Sequence, residues 1–184
     1  MLKTDGLVKI ADTGFLRLWK DKKTGHSFIE GTESLTLLIY VKDTDEVILI
    51  EQVREAMRTP ENPTGEITEL VAGRFDNNQT FLELAVSEAN EECGAMIRED
   101  QIEILNNGIP LALSSGSTSE KGYLAYAEIY SYQLKSDRVF GLADEHERIV
   151  RHMVKVEDFA KMTYQEIRMM ALSQWFLRTK WRGR

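Results

Sequence analysis

The stretch Thr80-Phe81-Leu82-Glu83-Leu84-Ala85-Val86-Ser87-Glu88-Ala89-Asn90-Glu91-Glu92-Cys93-Gly94-Ala95 decides the reading of this chain. Thr80 and Glu83 have the form of a capping box, in which hydroxyl and carboxylate each satisfy a backbone N–H left open at a helix start. Gly94 is a natural stop, because glycine enters the left-handed region without steric cost. The spacing therefore predicts a helix from near Phe81 to Cys93. At 100° per residue Leu82, Ala85, Val86, Ala89 and Cys93 share one arc and face a core, while Glu88, Glu91 and Glu92 fall on the neighbouring arc. Carboxylates three and four apart repel one another. Such a cluster is either a solvated acidic face or a seat for a hard cation. Mg²⁺ suits it, since it takes oxygen ligands, one or two of them carboxylates, and completes its shell with water and phosphate.

On either side of this helix the pattern is that of strands. Leu35-Thr36-Leu37-Leu38-Ile39-Tyr40-Val41 and Val47-Ile48-Leu49-Ile50 are apolar, partly β-branched runs separated by a polar turn, which predicts a buried hairpin. A strand from Glu66 to Ala72 leads to Gly73. Residues 7–31 read as two or three short strands with turns at Gly14 and Lys23-Thr24-Gly25-His26, forming a small antiparallel sheet. Further strands are expected at Ile102–Leu105, Ile109–Leu113, Tyr123–Leu134 and His152–Val156, with a polar loop at Ser136–Arg151. A last helix is expected over Thr163–Trp181, with Ile167, Met170, Ala171, Gln174, Trp175 and Arg178 on one face.

With 184 residues, 42% hydrophobic and 29% charged, the chain has the make-up of one soluble globular domain, with at most a small appendage. Its 23 basic and 30 acidic residues leave a formal charge of −7, which argues against bulk nucleic-acid binding. The single Cys93 cannot form an intrachain disulfide and suits a reducing cytoplasm. No apolar run is long enough for a membrane span, and the first six residues are too polar for a signal peptide.

Gly73 followed by Glu88-Ala89-Asn90-Glu91-Glu92-Cys93-Gly94-Ala95 resembles the Nudix box, matched without a gap. Two positions depart, with Gln79 where the family has its first Glu and Ser87 where it has Arg. Gly141-Leu142-Ala143-Asp144-Glu145-His146-Glu147 is similar to the acidic loop of the ADP-ribose pyrophosphatase branch, and Gly116-Ser117-Thr118-Ser119-Glu120 to its Gly-Gly-Thr-Ser-Glu segment. Glu51-Gln52-Val53-Arg54 and Glu69-Leu70-Val71-Ala72-Gly73 resemble two strand ends of that branch. The resemblance runs from Leu35 to Trp175 and weakens over the first thirty residues.

The resemblance implies a Nudix α/β/α sandwich around a mixed sheet, residues 33–184, preceded by a small N-terminal antiparallel sheet, residues 1–32, that is exchanged in a homodimer. It implies Mg²⁺, with Mn²⁺ as an alternative, on the Ala72 carbonyl and the Glu88 and Glu92 carboxylates, with Glu91 at the rim. Glu145 would be the general base and Glu147 an auxiliary ligand, or the reverse. Arg54 would contact phosphate or the distal ribose, Arg74 would contact phosphate, Glu69 would bind substrate, and Thr118, Ser119 and Glu120 would shape the substrate loop. The reaction expected is cleavage of ADP-ribose or another nucleoside diphosphate sugar into a nucleoside monophosphate and a sugar phosphate. The alternatives are another diphosphate, such as GDP-mannose, a UDP-sugar, NADH or a diadenosine polyphosphate, or a catalytically weak ligand-sensing domain. Ser87 cannot make the ion pair by which the family's Arg orients the neighbouring glutamates, and Gln79 carries one negative charge fewer.

Overall fold

The structure, a computed structural model, describes residues 2–14, 16–75, 79–142 and 147–181. Among them β1 (Leu7–Asp12), β2 (Arg17–Asp21) and β3 (Ser27–Glu30) form a small antiparallel meander. The remaining strands, β4 (Ser34–Val41), β5 (Glu46–Val53), β6 (Glu66–Glu69), β7 (Val71–Arg74), β8 (Ile102–Ile104), β9 (Leu111–Ala112), β10 (Lys121–Ile129), β11 (Val139–Phe140) and β12 (Ile149–Lys155), build one mixed sheet. Its helices are α1 (Phe81–Cys93), the short α2 (Val156–Phe159) and α3 (Ile167–Thr179). β10 runs parallel to β4, and the other pairings are antiparallel.

The expected β4–β5 hairpin forms only at its closed end, where Tyr40 faces Val47 and Val41 faces Glu46. Beyond that point the two strands diverge, and the segment after them fills the gap. β6 adds to β5, with Ile50 opposite Glu69, and β7 adds to β4, with Leu37 opposite Val71. The predicted Glu66–Ala72 strand is thus two strands that change partner at Leu70. This break sets Glu69, Ala72 and Gly73 at the mouth of a cleft.

Strand side chains alternate between faces, and β4 sorts its residues accordingly. Leu35, Leu37, Ile39 and Val41 pack with Leu84, Ala85, Ala89 and Cys93 of α1. Leu38 and Tyr40 pack with Phe159 of α2 and with Met169, Leu172 and Phe176 of α3. The result is the expected α/β/α sandwich. The N-terminal sheet docks through β3, whose Ile29 exchanges backbone hydrogen bonds with Ser117 (2.8 Å) and Ser119 (2.9 Å).

Several expected boundaries shift. β10 ends at Ile129, followed by a 3₁₀ turn at Ser131–Gln133, and the Ser136–Arg151 loop contains β11 and the start of β12. α3 begins at Ile167, because the Glu166 side chain accepts from the Met169 N–H at 2.8 Å and caps it there. Its buried stripe is Met169, Leu172, Ser173 and Phe176, whereas Ile167 and Met170 are exposed. The expected face was two residues out of phase, because a helix with apolar residues around much of its surface gives the moment little to fix. In α1 the buried leucine is Leu84, with Leu82 half-buried. No helix among the described residues is long and apolar enough to cross a membrane.

Candidate active site

The capping box at Thr80 and Glu83 is present as read, with Glu83 N–H donating to Thr80 Oγ1 and Thr80 N–H to Glu83 Oε2. Gly94 ends α1 in the left-handed region at φ 66°. With start and stop fixed, the register of Glu88, Glu91 and Glu92 is fixed too. Glu88 lies directly over Gly73, where a Cβ would come within 2.2 Å of its Oε1. Glycine at 73 leaves the space in which the Glu88 carboxylate lies. Glu92 is buried, and its Oε2 accepts the Ala72 N–H at 2.8 Å, tying α1 to β7. Burial pushes its carboxyl well above the ordinary range, and the charges of Glu88 and Glu147 add to the shift. The Ala72 N–H and Arg54 oppose it.

Glu147 enters from the other side of the cleft. Gly141, at φ 105°, donates its N–H to the Glu91 carbonyl, and the Glu147 N–H returns to Leu142 O. The acidic loop is therefore pinned to the carboxylate turn of α1 at its near end. Glu145, expected as base, and His146 lie outside the described residues.

Arg54, at the end of β5, donates from Nε to Glu69 Oε2 at 2.9 Å, and Gln52 Nε2 donates to the same oxygen at 3.1 Å. The Arg54–Glu69 ion pair and the cleft position hold together, since both residues line one cavity of about 1090 Å³. The same cavity is lined by Ala72, Gly73, Arg74, Glu88, Glu91, Glu92, Glu120 and Glu147. Ten sequence-predicted site residues are therefore described, and all but Ser119 border this space. Ser119 instead docks β3, its Oγ accepting the Gly31 N–H at 3.3 Å. Tyr40 is core, packed 5.2 Å from Phe176.

The far wall of the cavity was not read from the sequence. Ser34, Gln165, Glu166 and Arg168 line it, and no local motif marks them. They meet only because α3 packs across β4.

Among the described residues no group of three or more acidic, histidine or cysteine side chains is gathered tightly enough to cage a metal ion. The donor chemistry nonetheless fits a hard cation. A buried carboxylate whose charge is disfavoured by two neighbouring carboxylates is relieved most directly by a divalent ion with oxygen preference. Ser87 lines the same cavity and donates its hydroxyl to Leu84 O at 3.0 Å. Cys93 is buried, with its thiol pushed up to about 12 mainly by burial, and is chemically inert.

These features define a class: an α/β/α protein whose sheet opens into an acidic, arginine-flanked cleft. No family model matches the chain. Over 129 residues, 70% of its length, it is 33% identical to the ADP-ribose pyrophosphatases of Escherichia coli (strain K12) and Shigella flexneri. Over 136 residues, 73% of its length, it is 33% identical to that of Haemophilus influenzae. The chain is thus related to the ADP-ribose pyrophosphatases. The matched region spans 57% to 59% of the length of these relatives.

Proposed function

We propose that the protein is a metal-dependent pyrophosphohydrolase that cleaves ADP-ribose or a related nucleoside diphosphate sugar into a nucleoside monophosphate and a sugar phosphate. The observation that carries this reading is the buried Glu92 carboxylate, clamped to the Ala72 N–H and bordered by Glu88 and Glu147 in a cavity that also holds Arg54 and Arg74. Glu88 and Glu92, with the Ala72 carbonyl and Glu91 at the rim, would hold Mg²⁺ or Mn²⁺. Bound there, the ion offsets diphosphate charge, polarises the P–O bonds and lowers the pKa of a bound water.

The chain's own groups supply the rest. Arg54, oriented by Glu69, presents a planar donor fork suited to phosphate oxygens, and Arg74 adds a second cation at the rim. Glu145, with Glu147 as the alternative, takes the proton of the attacking water. A loop base acts only when substrate has aligned that water, which protects against idle hydrolysis of other diphosphates.

Hydrolysis of a panel of ADP-ribose, GDP-mannose, a UDP-sugar, NADH and a diadenosine polyphosphate with Mg²⁺ tests the proposal. Release of AMP and ribose 5-phosphate from ADP-ribose supports it. Ser87, which stands where the family has its arginine and bonds Leu84 O, favours a second reading, a weakly catalytic ligand sensor. That reading requires tight binding of one panel member without turnover of any. The proposal includes a cytoplasmic homodimer in which the N-terminal sheet packs on a second copy, supported by the exposed Val8, Ile10, Leu16 and Ile29. Light scattering that returns a monomer mass removes that part.

A further inference from the structure

The last turn of α1 seats the acidic loop as well as the carboxylates. Gly141 donates its N–H to the Glu91 carbonyl at 3.3 Å, and Arg151 Nη1 donates to the Cys93 carbonyl at 2.7 Å. The Phe140 ring lies on Gly94, where a Cβ would come within 2.5 Å of its Cε1 and 2.7 Å of its Cζ. Glycine at 94 therefore ends the helix and also leaves room for this ring. The Arg151 guanidinium stands 5.2 Å from the centre of the same ring, a cation–π contact. Lys135 closes the circuit, its N–H donating to Gly94 O at 2.9 Å and its carbonyl accepting from Arg151 Nη2 at 3.0 Å.

Backbone pairing by itself holds only one foot of this loop. β12 is fixed in the sheet through β5. β11, the other foot, has two residues and among the described residues pairs with β12 alone, through Val139–Val150 and Phe140–Ile149. So short a pairing is marginal in water. Glu147 depends on it, since its N–H donates to Leu142 O at 3.3 Å and its carbonyl oxygen would lie 2.8 Å from a Cβ at Gly141. Gly141, Leu142 and Glu147 border the same cavity as Glu91 and Glu92. What holds Phe140 and Gly141 on α1 therefore also holds Glu147 relative to the glutamates of the helix.

We propose that Phe140 and Arg151 are positioning residues for the reaction. Clamped together on the last turn of α1, they set the separation between Glu147 and the α1 glutamates without touching substrate. Arg151 does this through two arms, the donors to Cys93 O and Lys135 O and the flat face against Phe140. The inference rests on the pyrophosphohydrolase reading above for the reaction itself.

The test has two readouts on the full-length protein. In the first, kcat and KM are measured separately with ADP-ribose and Mg²⁺. Phe140→Leu keeps apolar volume but loses the flat ring, and Arg151→Lys keeps the charge but loses the fork. Each should lower kcat by about tenfold to a hundredfold, the cost of a displacement of about 1 Å, and leave KM within about threefold because Arg54 and Arg74 are untouched. In a Gly141→Ala background, where the loop is already displaced, Phe140→Leu should lower kcat by less than about twofold more, whereas a side chain that only stabilises the fold gives additive losses. The second readout needs no substrate. Amide hydrogen exchange followed by NMR in metal-free protein should be at least about tenfold faster at Gly141 and Glu147 in both variants, beyond any change at Ala89 in the middle of α1. Should Phe140→Leu fail to fold, Arg151→Lys carries both readouts. A kcat that stays near native, a loss confined to KM, additive losses, or unchanged exchange at Gly141 and Glu147 overturns the inference. A wild-type protein that hydrolyses no diphosphate of the panel would sink the hydrolase reading instead, and the exchange rates would still decide whether the clamp places the loop.

Discussion

The Glu88 carboxylate occupies the space that a side chain at Gly73 would need, with Oε1 2.2 Å and Cδ 2.3 Å from an ideal Cβ at that position. Two segments fifteen positions apart are thereby interlocked: β7 can carry a side chain at 73 only if the carboxylate that α1 lays across it moves. The obstructing atoms are the far end of a flexible side chain, so Gly73→Ala should fold. Its stability should change by no more than about 1 kcal/mol. Its carboxylate must move, however, and a displacement of that order costs about 10²-fold in turnover. A Gly73→Ala protein with a near-native melting temperature and near-native rate would show that Glu88 is not placed for chemistry.

Glu92 links stability to pH. Its folded-state carboxyl sits well above the ordinary value of 4.5, from burial first and then from Glu88 and Glu147. The folded chain thus holds this proton more tightly than the unfolded chain. The stability so contributed is full below the unfolded value and is lost as pH rises through the folded one. Metal-free protein should melt at lower temperature at about pH 8 than at about pH 5 on this account, and Glu92→Gln, which never ionises, should lose that part of the slope. The same variant keeps an acceptor for the Ala72 N–H but should cut turnover by at least about 10²-fold. Identical pH slopes in the two proteins would refute the account.

What was legible in the sequence follows from how local each signal is. The α1 boundaries depend on Thr80, Glu83 and Gly94, and all three act within one turn of their own backbone. They were read correctly, and with them the carboxylate register. The burial of β4 was equally legible from its apolar run, but with all eight residues buried nothing in the run says which face meets α1 and which α3. The phase of α3 was not, since Ile167 and Met170 are as apolar as Met169 and Leu172, and only packing against β4 and β10 distinguishes them. The division of residues 66–74 into two strands, and the wall at Ser34, Glu166 and Arg168, are products of tertiary geometry. β4 and β5 diverge and α3 crosses β4, which no stretch of adjacent residues encodes. Glu145 lies outside the described residues, so its reading stays an expectation from resemblance.

The C-terminus of α1 has no basic residue in its last turn, yet its carbonyls bear partial negative charge. Arg151 of β12 supplies the missing cation. Its Nη1 donates to Cys93 O at 2.7 Å and its Nη2 to Lys135 O at 3.0 Å, with the guanidinium 5.2 Å from the Phe140 ring centre. Arg151→Met keeps the contact with Phe140 and removes the donors. It should cost about 1–3 kcal/mol, a loss of several degrees in melting temperature at about 2–4 °C per kcal/mol. A melting temperature unchanged within a degree would mean that α1 ends without this support.

Gly141 tests whether the acidic loop must keep its present path. At φ 105° any side chain there is strained by about 1–3 kcal/mol. A Cβ would also meet the Glu147 carbonyl oxygen at 2.8 Å, a backbone atom that cannot swing aside. Gly108 offers a control, since it too has positive φ, 71°, but its Cβ would meet nothing closer than Ile104 Cγ2 at 3.9 Å. Gly108→Ala should therefore lose only the stability that its positive φ costs, and Gly141→Ala should lose more, in thermal melts. Only Gly141→Ala should also lose turnover, by about 10²-fold, with the loss in kcat rather than KM because the substrate-holding arginines are untouched. Equal activities in the two variants would remove Glu147 and its loop from the reaction.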